Sequence, residues 1–195
     1  MSINEITNKQ LFNRYSMLNG ETVKISGWVR NLRDQKQFAF IDFNDGTFFR
    51  SIQIVLEQNE LENYEDAVRI RNGSSIVVEG IVVLTPGMKQ PFEIKAKKIV
   101  VTGQCPPEYP LQPKRHSPEF LRTISHLRPR TNLYSAIFRV RSAASFAIHK
   151  FFNDNNFVYV HTPIITASDC EGAGEMFRVT TLDAINPPLN ENGTV

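Results

Sequence analysis

The sequence predicts an α+β chain, a five-stranded β-barrel followed by a helix-led second segment. Three observations carry this. Apolar residues alternate with polar ones from Thr22 to Thr102, broken by turn-forming residues. Gly103–Pro118 is dense in proline and separates the two halves. Asn132–Asn155 then carries apolar residues at helical spacing.

The elements follow in order. Val23, Ile25 and Gly27 alternate with polar residues and lead into Trp28 and Val29, the first strand. Phe38, Phe40, Ile41 and Phe43 form the second, closed by Asn44-Asp45-Gly46. Alternation puts Phe38 and Phe40 on one face and Phe43 on the other. Phe48, Ile52, Ile54 and Val55 are expected in the third strand. Leu61–Ile70 has helical spacing at Leu61, Tyr64 and Val68, with charges opposite. Ile76–Leu84 and Phe92–Val101 give the last two strands, separated by Thr85-Pro86-Gly87. Five strands with a helix between the third and fourth is the OB-fold plan.

The linker holds Pro106, Pro107, Pro110, Pro113 and Pro118, so it is stiff and expected to join neither core. Ser117 suits a helix N-cap with Pro118 at the first helical position. Lys114, Arg115, Arg122, Arg128 and Arg130 face only Glu119 in the following hinge. That basic run is either a solvated connector or a contact with an RNA backbone, which needs point charges and no sequence readout. On the long helix, Leu133, Ile137, Val140, Ala144, Ala147, Ile148, Phe151 and Phe152 form a wide stripe. Val158, Tyr159 and Val160, then Pro163, Ile164 and Ile165, read as a short strand. Pro163 lacks an N–H, so it suits an edge, a bulge or a chain interface. The expected division is a barrel over 1–102, a proline-rich and basic hinge over 103–130, and a second domain begun but truncated over 131–195.

Composition narrows the class. With 195 residues and 41% hydrophobic content the chain is globular, with one or two domains. The net charge is only +2, so RNA binding would need local patches, not a global basic field. The 14 phenylalanines can build a core and can also stack on bases. Two cysteines, Cys105 and Cys170, lie far apart, and the four histidines show no ligand spacing, so no metal site is expected. The polar start MSINEITNKQ is no signal peptide, and no stretch has the apolar length of a membrane span. The expectation is a soluble cytoplasmic protein.

After the short strand comes a glycine-rich loop carrying Asp169, Glu171 and Glu175. Such a loop can approach a small ligand closely and aim carboxylates at its cationic end. The whole stretch, HTPIITASDCEGAGEMF, resembles motif 1 and the following flipping loop of the class II aminoacyl-tRNA synthetases. SDCEGAGEMF looks like the asparaginyl-tRNA synthetase form within the aspartyl, asparaginyl and lysyl subgroup. The earlier stretch GWVRNLRDQKQFAFIDFNDG resembles that subgroup's anticodon-binding barrel.

The resemblance implies a fold and a chemistry. The fold is an OB-fold barrel followed by the start of a class II antiparallel-sheet catalytic domain. The chemistry is ATP-dependent activation of asparagine and transfer to tRNA, with magnesium, in a homodimer built on the motif 1 helix and the strand at Pro163. Members of the subgroup read anticodons with a central uridine, and their readers match Arg33, Phe40 and Gln53 here. Those residue types suit the task. Phe40 offers a stacking face, Gln53 a donor and an acceptor for a uracil edge, and Arg33 a planar fork. Glu171 matches the carboxylate that relatives aim at the substrate's α-amino group, while Glu175 fits a supporting role. The FRxE-like and GxGxGxxR-like stretches that bind ATP in the family do not occur, so these 195 residues alone are expected to bind no cofactor and to hold no catalytic residue. Two other readings stay open. One is an aspartyl-type synthetase with relaxed tRNA choice. The other is a free-standing OB-fold RNA-binding module, against which the substrate loop argues.

Overall fold

The computed structural model describes residues 4–166, 179–183 and 185–194. The chain forms two compact units, Met1–Phe146 and Ala147–Val195.

The first unit opens with two elements that the polar N-terminus did not announce. β1 (Asn4–Glu5) pairs in parallel with β2 (Thr22–Asp34). α1 (Asn8–Arg14) follows, started by a capping box in which Thr7 and Gln10 satisfy each other's backbone N–H groups. Asp45 also accepts the Asn8 N–H at 2.8 Å, placing a carboxylate where a helix start favours one. Leu11 of α1 is fully buried in the barrel core.

The barrel comprises β2, β3 (Phe38–Asn44), β4 (Ile52–Glu57), β5 (Ser75–Leu84) and β6 (Phe92–Gly103). β2 pairs with β3 and β3 with β4, both antiparallel. β4 joins β6 in parallel, β6 joins β5, and β5 returns to β2. The sheet is thereby closed and leaves no exposed barrel edge. Val23, Ile25, Ile41, Phe43, Ile52, Ile54, Ile76 and Ile94 point inward and are fully or almost fully buried. Each such side chain stabilises the fold by about 1.5–3 kcal/mol. Phe43 faces the core while Phe38 and Phe40 stand outside, as alternation requires.

Several expectations need correction. The third strand starts at Ile52, and Phe48 belongs to the preceding loop, where its ring stacks on Phe12 of α1 at 4.6 Å. Asn44 holds that loop by donating from Nδ2 to the carbonyls of Phe48 and Arg50, both at 3.2 Å. The helix expected over Leu61–Ile70 is a single turn, α2 (Tyr64–Ala67). Asn63 before it is non-helical, and its side chain donates to the Ile99 carbonyl instead of capping the helix. Leu61, Tyr64 and Ala67 still bury and join the barrel core. The linker lies against the barrel: Cys105 is buried and its N–H donates to Ser74 Oγ at 3.0 Å.

α3 (Pro118–Thr123) starts as expected, with Ser117 Oγ accepting the Phe120 N–H and Pro118 in the first turn. α4 (Asn132–Asp154) is the long helix. The Thr131 hydroxyl accepts the Tyr134 N–H at its start. Of its side chains only Tyr134 is buried, while Ile137, Val140, Phe146, Ile148 and Phe151 stand exposed. In the second unit the strand expected around Val158–Ile165 does not form, and Pro163 lies in an exposed irregular segment. A strand needs a neighbour for its N–H and C=O groups, and none of the described strands pairs there. The loop carrying Asp169, Cys170, Glu171 and Glu175 lies outside the described residues.

Candidate nucleic-acid interface

The register of three strands assembles the site. Arg33 on β2 lies directly opposite Phe40 on β3, and Phe40 lies opposite Val55 on β4. Two residues along the strands, Asn31 lies opposite Asp42 and Asp42 opposite Gln53. Arg33, Phe40 and Gln53 thus share the outer face of adjacent strands, with Phe40 and Gln53 diagonal neighbours. Diagonal positions across a sheet sit roughly 7–8 Å apart, within reach of one base and its phosphate. Arg33 is exposed and Phe40 half-buried, so both the fork and the ring are accessible.

Gln53 is held more tightly than its neighbours. Its backbone N–H donates to Gln90 Oε1 at 3.1 Å, and its side-chain Nε2 donates to Glu93 Oε2 at 3.3 Å. Gln90 in turn donates from Nε2 to the Ser51 carbonyl at 3.3 Å. The β5–β6 loop therefore closes over the end of β4 beside Gln53. Thr85 sets that loop, donating its hydroxyl to the Gln90 carbonyl at 2.7 Å, with Gly87 at φ +81°. Beyond it, Lys95 meets Glu57 at 2.7 Å. The hydrogen bond and charge of Glu57 push the Lys95 ammonium above its ordinary pKa. The face is mixed in charge, in keeping with the small net charge. Sequence reasoning missed Gln90 and Glu93. Alternation on the fifth strand would have placed Glu93 outward, but β6 neighbours β4 through a crossover that local pattern does not reveal.

A second basic feature lies where the hinge meets the barrel. A cavity of about 410 Å³ is lined by Arg30, Lys114, Arg115 and Arg130, with Trp28 and Tyr109, and its lining holds no carboxylate. Arg30 is the extra residue of a bulge between Val29 and Asn31, which turns it out of the β2–β3 ladder. Burial lowers the pKa of its guanidinium from the ordinary value, and its Nη2 donates to Asn132 Oδ1 at 3.1 Å. Arg130 sits over the Trp28 ring at 5.8 Å and donates to the Tyr109 hydroxyl at 3.3 Å. The hinge cations Lys114, Arg115 and Arg130 are thus gathered in one place, while Arg122 is not among the lining. Arg30 and Tyr109 carried no signal in the sequence. Among the described residues no group of His, Cys, Asp and Glu is placed to hold a metal ion, and no helix is long and apolar enough to cross a membrane.

Comparison with known proteins agrees with this fold. Residues 23–102 match the family described as OB-fold nucleic acid binding domain. Residues 117–186 match tRNA synthetases class II (D, K and N). The asparagine–tRNA ligase of Clostridium novyi is 60% identical over 96% of this chain, and that of Bacillus cereus 59% identical over the same share. The chain spans about 40% of the length of these relatives. Among solved structures, asparaginyl-tRNA synthetase from Pyrococcus horikoshii complexed with asparaginyl-adenylate superposes with a TM-score of 0.79 at 26% identity. That match covers 92% of this chain and 41% of the other. A closed OB-fold barrel followed by a segment that matches class II tRNA synthetases makes this chain similar to the asparagine–tRNA ligases over 96% of its own length and about 40% of theirs.

Proposed function

We propose that this chain is the tRNA-reading portion of an ATP-dependent asparagine–tRNA ligase acting in the cytoplasm. In that reaction the carboxylate of asparagine attacks the α-phosphate of ATP, giving asparaginyl-adenylate and releasing pyrophosphate. The terminal adenosine hydroxyl of the tRNA then takes the aminoacyl group and releases AMP. The described residues serve the RNA end of this chemistry. Arg33, Phe40 and Gln53 meet the central anticodon base, a uracil: the ring stacks on it, the amide pairs with its edge, and the guanidinium bridges a base oxygen and a phosphate. The cationic cavity at the hinge takes an RNA phosphate. Glu171 receives the α-amino group of asparagine. The magnesium that accompanies ATP finds no set of ligands among the described residues. The exposed apolar face of α4, with the segment at Pro163, forms the contact with a second copy in a homodimer.

The observation that supports this reading best is the register placing Arg33, Phe40 and Gln53 side by side on one outer face. The test is a binding titration with an anticodon stem-loop carrying a central uridine. Phe40→Ala and Gln53→Ala are each expected to weaken binding by roughly 1–3 kcal/mol. Unchanged affinity, with the fold intact by circular dichroism, would remove these residues from the interface.

A further inference from the structure

Like charges crowded together without a counter-charge repel one another, and the repulsion is relieved when an anion joins them. The cavity at the hinge presents that arrangement. Arg30 comes from β2, Lys114 and Arg115 from the proline-rich linker, and Arg130 from the helical turn Arg128–Arg130. Among the described residues, no carboxylate pairs with any of these four cations. Burial first, and then the charge of Arg130, lower the pKa of Arg30, while Tyr109 and Asp42 oppose them.

The walls of the cavity are built before any ligand arrives. Val29, beside Arg30, donates its N–H to the Ser74 carbonyl at 2.9 Å and accepts the Gly73 N–H at 2.7 Å. Tyr109 packs on Gly73, where a Cβ would come within 2.9 Å of the Tyr109 ring. Neutral partners aim two of the cations: Arg30 Nη2 donates to Asn132 Oδ1, and Arg130 Nη1 to the Tyr109 hydroxyl. A guanidinium carries several N–H donors, so each arginine keeps others for a ligand. The planar fork of arginine matches the oxygens of a phosphate, and lysine adds a point charge. At about 410 Å³ the cavity has the size of a small-ligand site.

We propose that a phosphate group is the counter-ion of this cavity, and that its binding clamps the hinge onto the barrel. The inference rests on the phosphate reading of the cavity given above and adds its consequence. A phosphate held between Arg30 and the hinge cations joins segments that neutral hydrogen bonds and packing otherwise hold. The phosphate comes from the backbone of an RNA stem or from a free phosphate, and the recognising chemistry is the same. Forks and point charges read no base, so the clamp is independent of RNA sequence.

Trp28 is the chain's only tryptophan and lines the cavity beneath Arg130, so its emission reports on the site. The whole chain is titrated with inorganic phosphate, and separately with an RNA hairpin whose loop lacks uridine, each against sodium chloride at matched ionic strength. Amide hydrogen exchange over residues 106–131 is followed in parallel. At least one probe is expected to change Trp28 emission saturably. At about ten times its half-saturating concentration, that probe should slow hinge exchange by roughly tenfold. Arg30→Ala and Arg115→Ala are each expected to raise the half-saturating concentration roughly tenfold, on the scale of a hydrogen bond to a charged group. Arg115 is exposed, so its loss tests the site without emptying the core. Arg122→Ala, outside the lining, should leave binding unchanged. Saturation by the hairpin far below free phosphate supports the clamp with RNA as the source, and saturation by free phosphate alone supports it with a free anion. Binding without slower hinge exchange overturns the clamp and leaves the phosphate reading standing. No response beyond matched chloride overturns that reading and the clamp together. Equal weakening by Arg122→Ala and Arg115→Ala also overturns the inference, showing diffuse attraction in place of a site.

Discussion

The hydroxyl of Tyr64 donates to the Lys36 carbonyl at 3.0 Å, tying the single turn of α2 to the tip between β2 and β3. That tip is under conformational tension. Lys36 has φ +70°, a region costly for a residue with a side chain, and Asp34 Oδ1 accepts its N–H at 2.9 Å. The tip directly follows Arg33, so the Tyr64 hydrogen bond helps fix the end of β2 that carries it. Burial, with Asp34 and Glu65 nearby, pushes the Tyr64 phenol above its ordinary pKa. A raised folded-state pKa adds stability that is fully present below the unfolded value, about 10, and is lost as pH climbs through the folded value. Tyr64→Phe is therefore expected to cost about 1 kcal/mol at neutral pH. Above about pH 10 the gap between the two proteins should narrow, because phenylalanine cannot ionise. Urea melts from pH 7 to 11 read both effects, and a gap that widens with pH would contradict the ionisation argument.

At the scale of elements, β5 is the strand that must touch both β2 and β6. Gly80 sits at that junction, opposite Val23 on one side and Ala96 on the other, where the β5–β6 register shifts. A Cβ placed there would come within 2.5 Å of the Lys95 carbonyl oxygen and 2.6 Å of Ile94 Cγ2. Backbone cannot yield as a flexible side-chain tip can. Gly80→Ala is expected to destabilise the barrel by roughly 1–3 kcal/mol, the range for overpacking. Chemical denaturation at neutral pH checks this, and a loss under a few tenths of a kcal/mol would mean that the strands separate more easily than this geometry allows. The same crossing governs the candidate site, since β4 and β6 share only the pairs Ile54–Ile94 and Val55–Lys95.

For the whole molecule, the distribution of surface separates a self-contained barrel from a long helix with an uncovered apolar face. The face that carries Arg33, Phe40 and Gln53 rests on a closed barrel with its own core. By contrast, Val140 of α4 is 68% exposed and Ile164 94% exposed, far more apolar surface than a finished interface leaves in water. The FRxE-like and GxGxGxxR-like stretches of the family do not occur in the sequence. The purified chain is therefore expected to bind a uridine-centred stem-loop yet give no asparagine-dependent pyrophosphate exchange. Exchange above a no-enzyme control would show that the chemistry resides in these residues after all.

Much of the first unit was legible in the sequence because the signals are local. Alternation put Phe38 and Phe40 on one face and Phe43 on the other, and the structure buries Val23, Ile25, Ile41, Phe43, Ile52 and Ile54 while Phe38 and Phe40 stand outside. Gly46 and Gly87 take positive φ at the turns that Asn44-Asp45-Gly46 and Thr85-Pro86-Gly87 announced, and Ser117-Pro118 starts a helix. The resemblance to known synthetases singled out Arg33, Phe40 and Gln53, and the register brings those three together. Tertiary structure alone decided the rest. A side chain's face follows from its own strand, but its neighbour depends on which distant strand closes the barrel. The meeting of Gln53 with Gln90 and Glu93, about forty residues on, could not be read from either segment. The same holds for α2, shortened when Asn63 spent its amide on the Ile99 carbonyl, and for the unformed strand at Val158–Ile165. An apolar alternating stretch becomes a strand only when another backbone accepts its hydrogen bonds, and that partner is a property of the folded molecule, not of the segment.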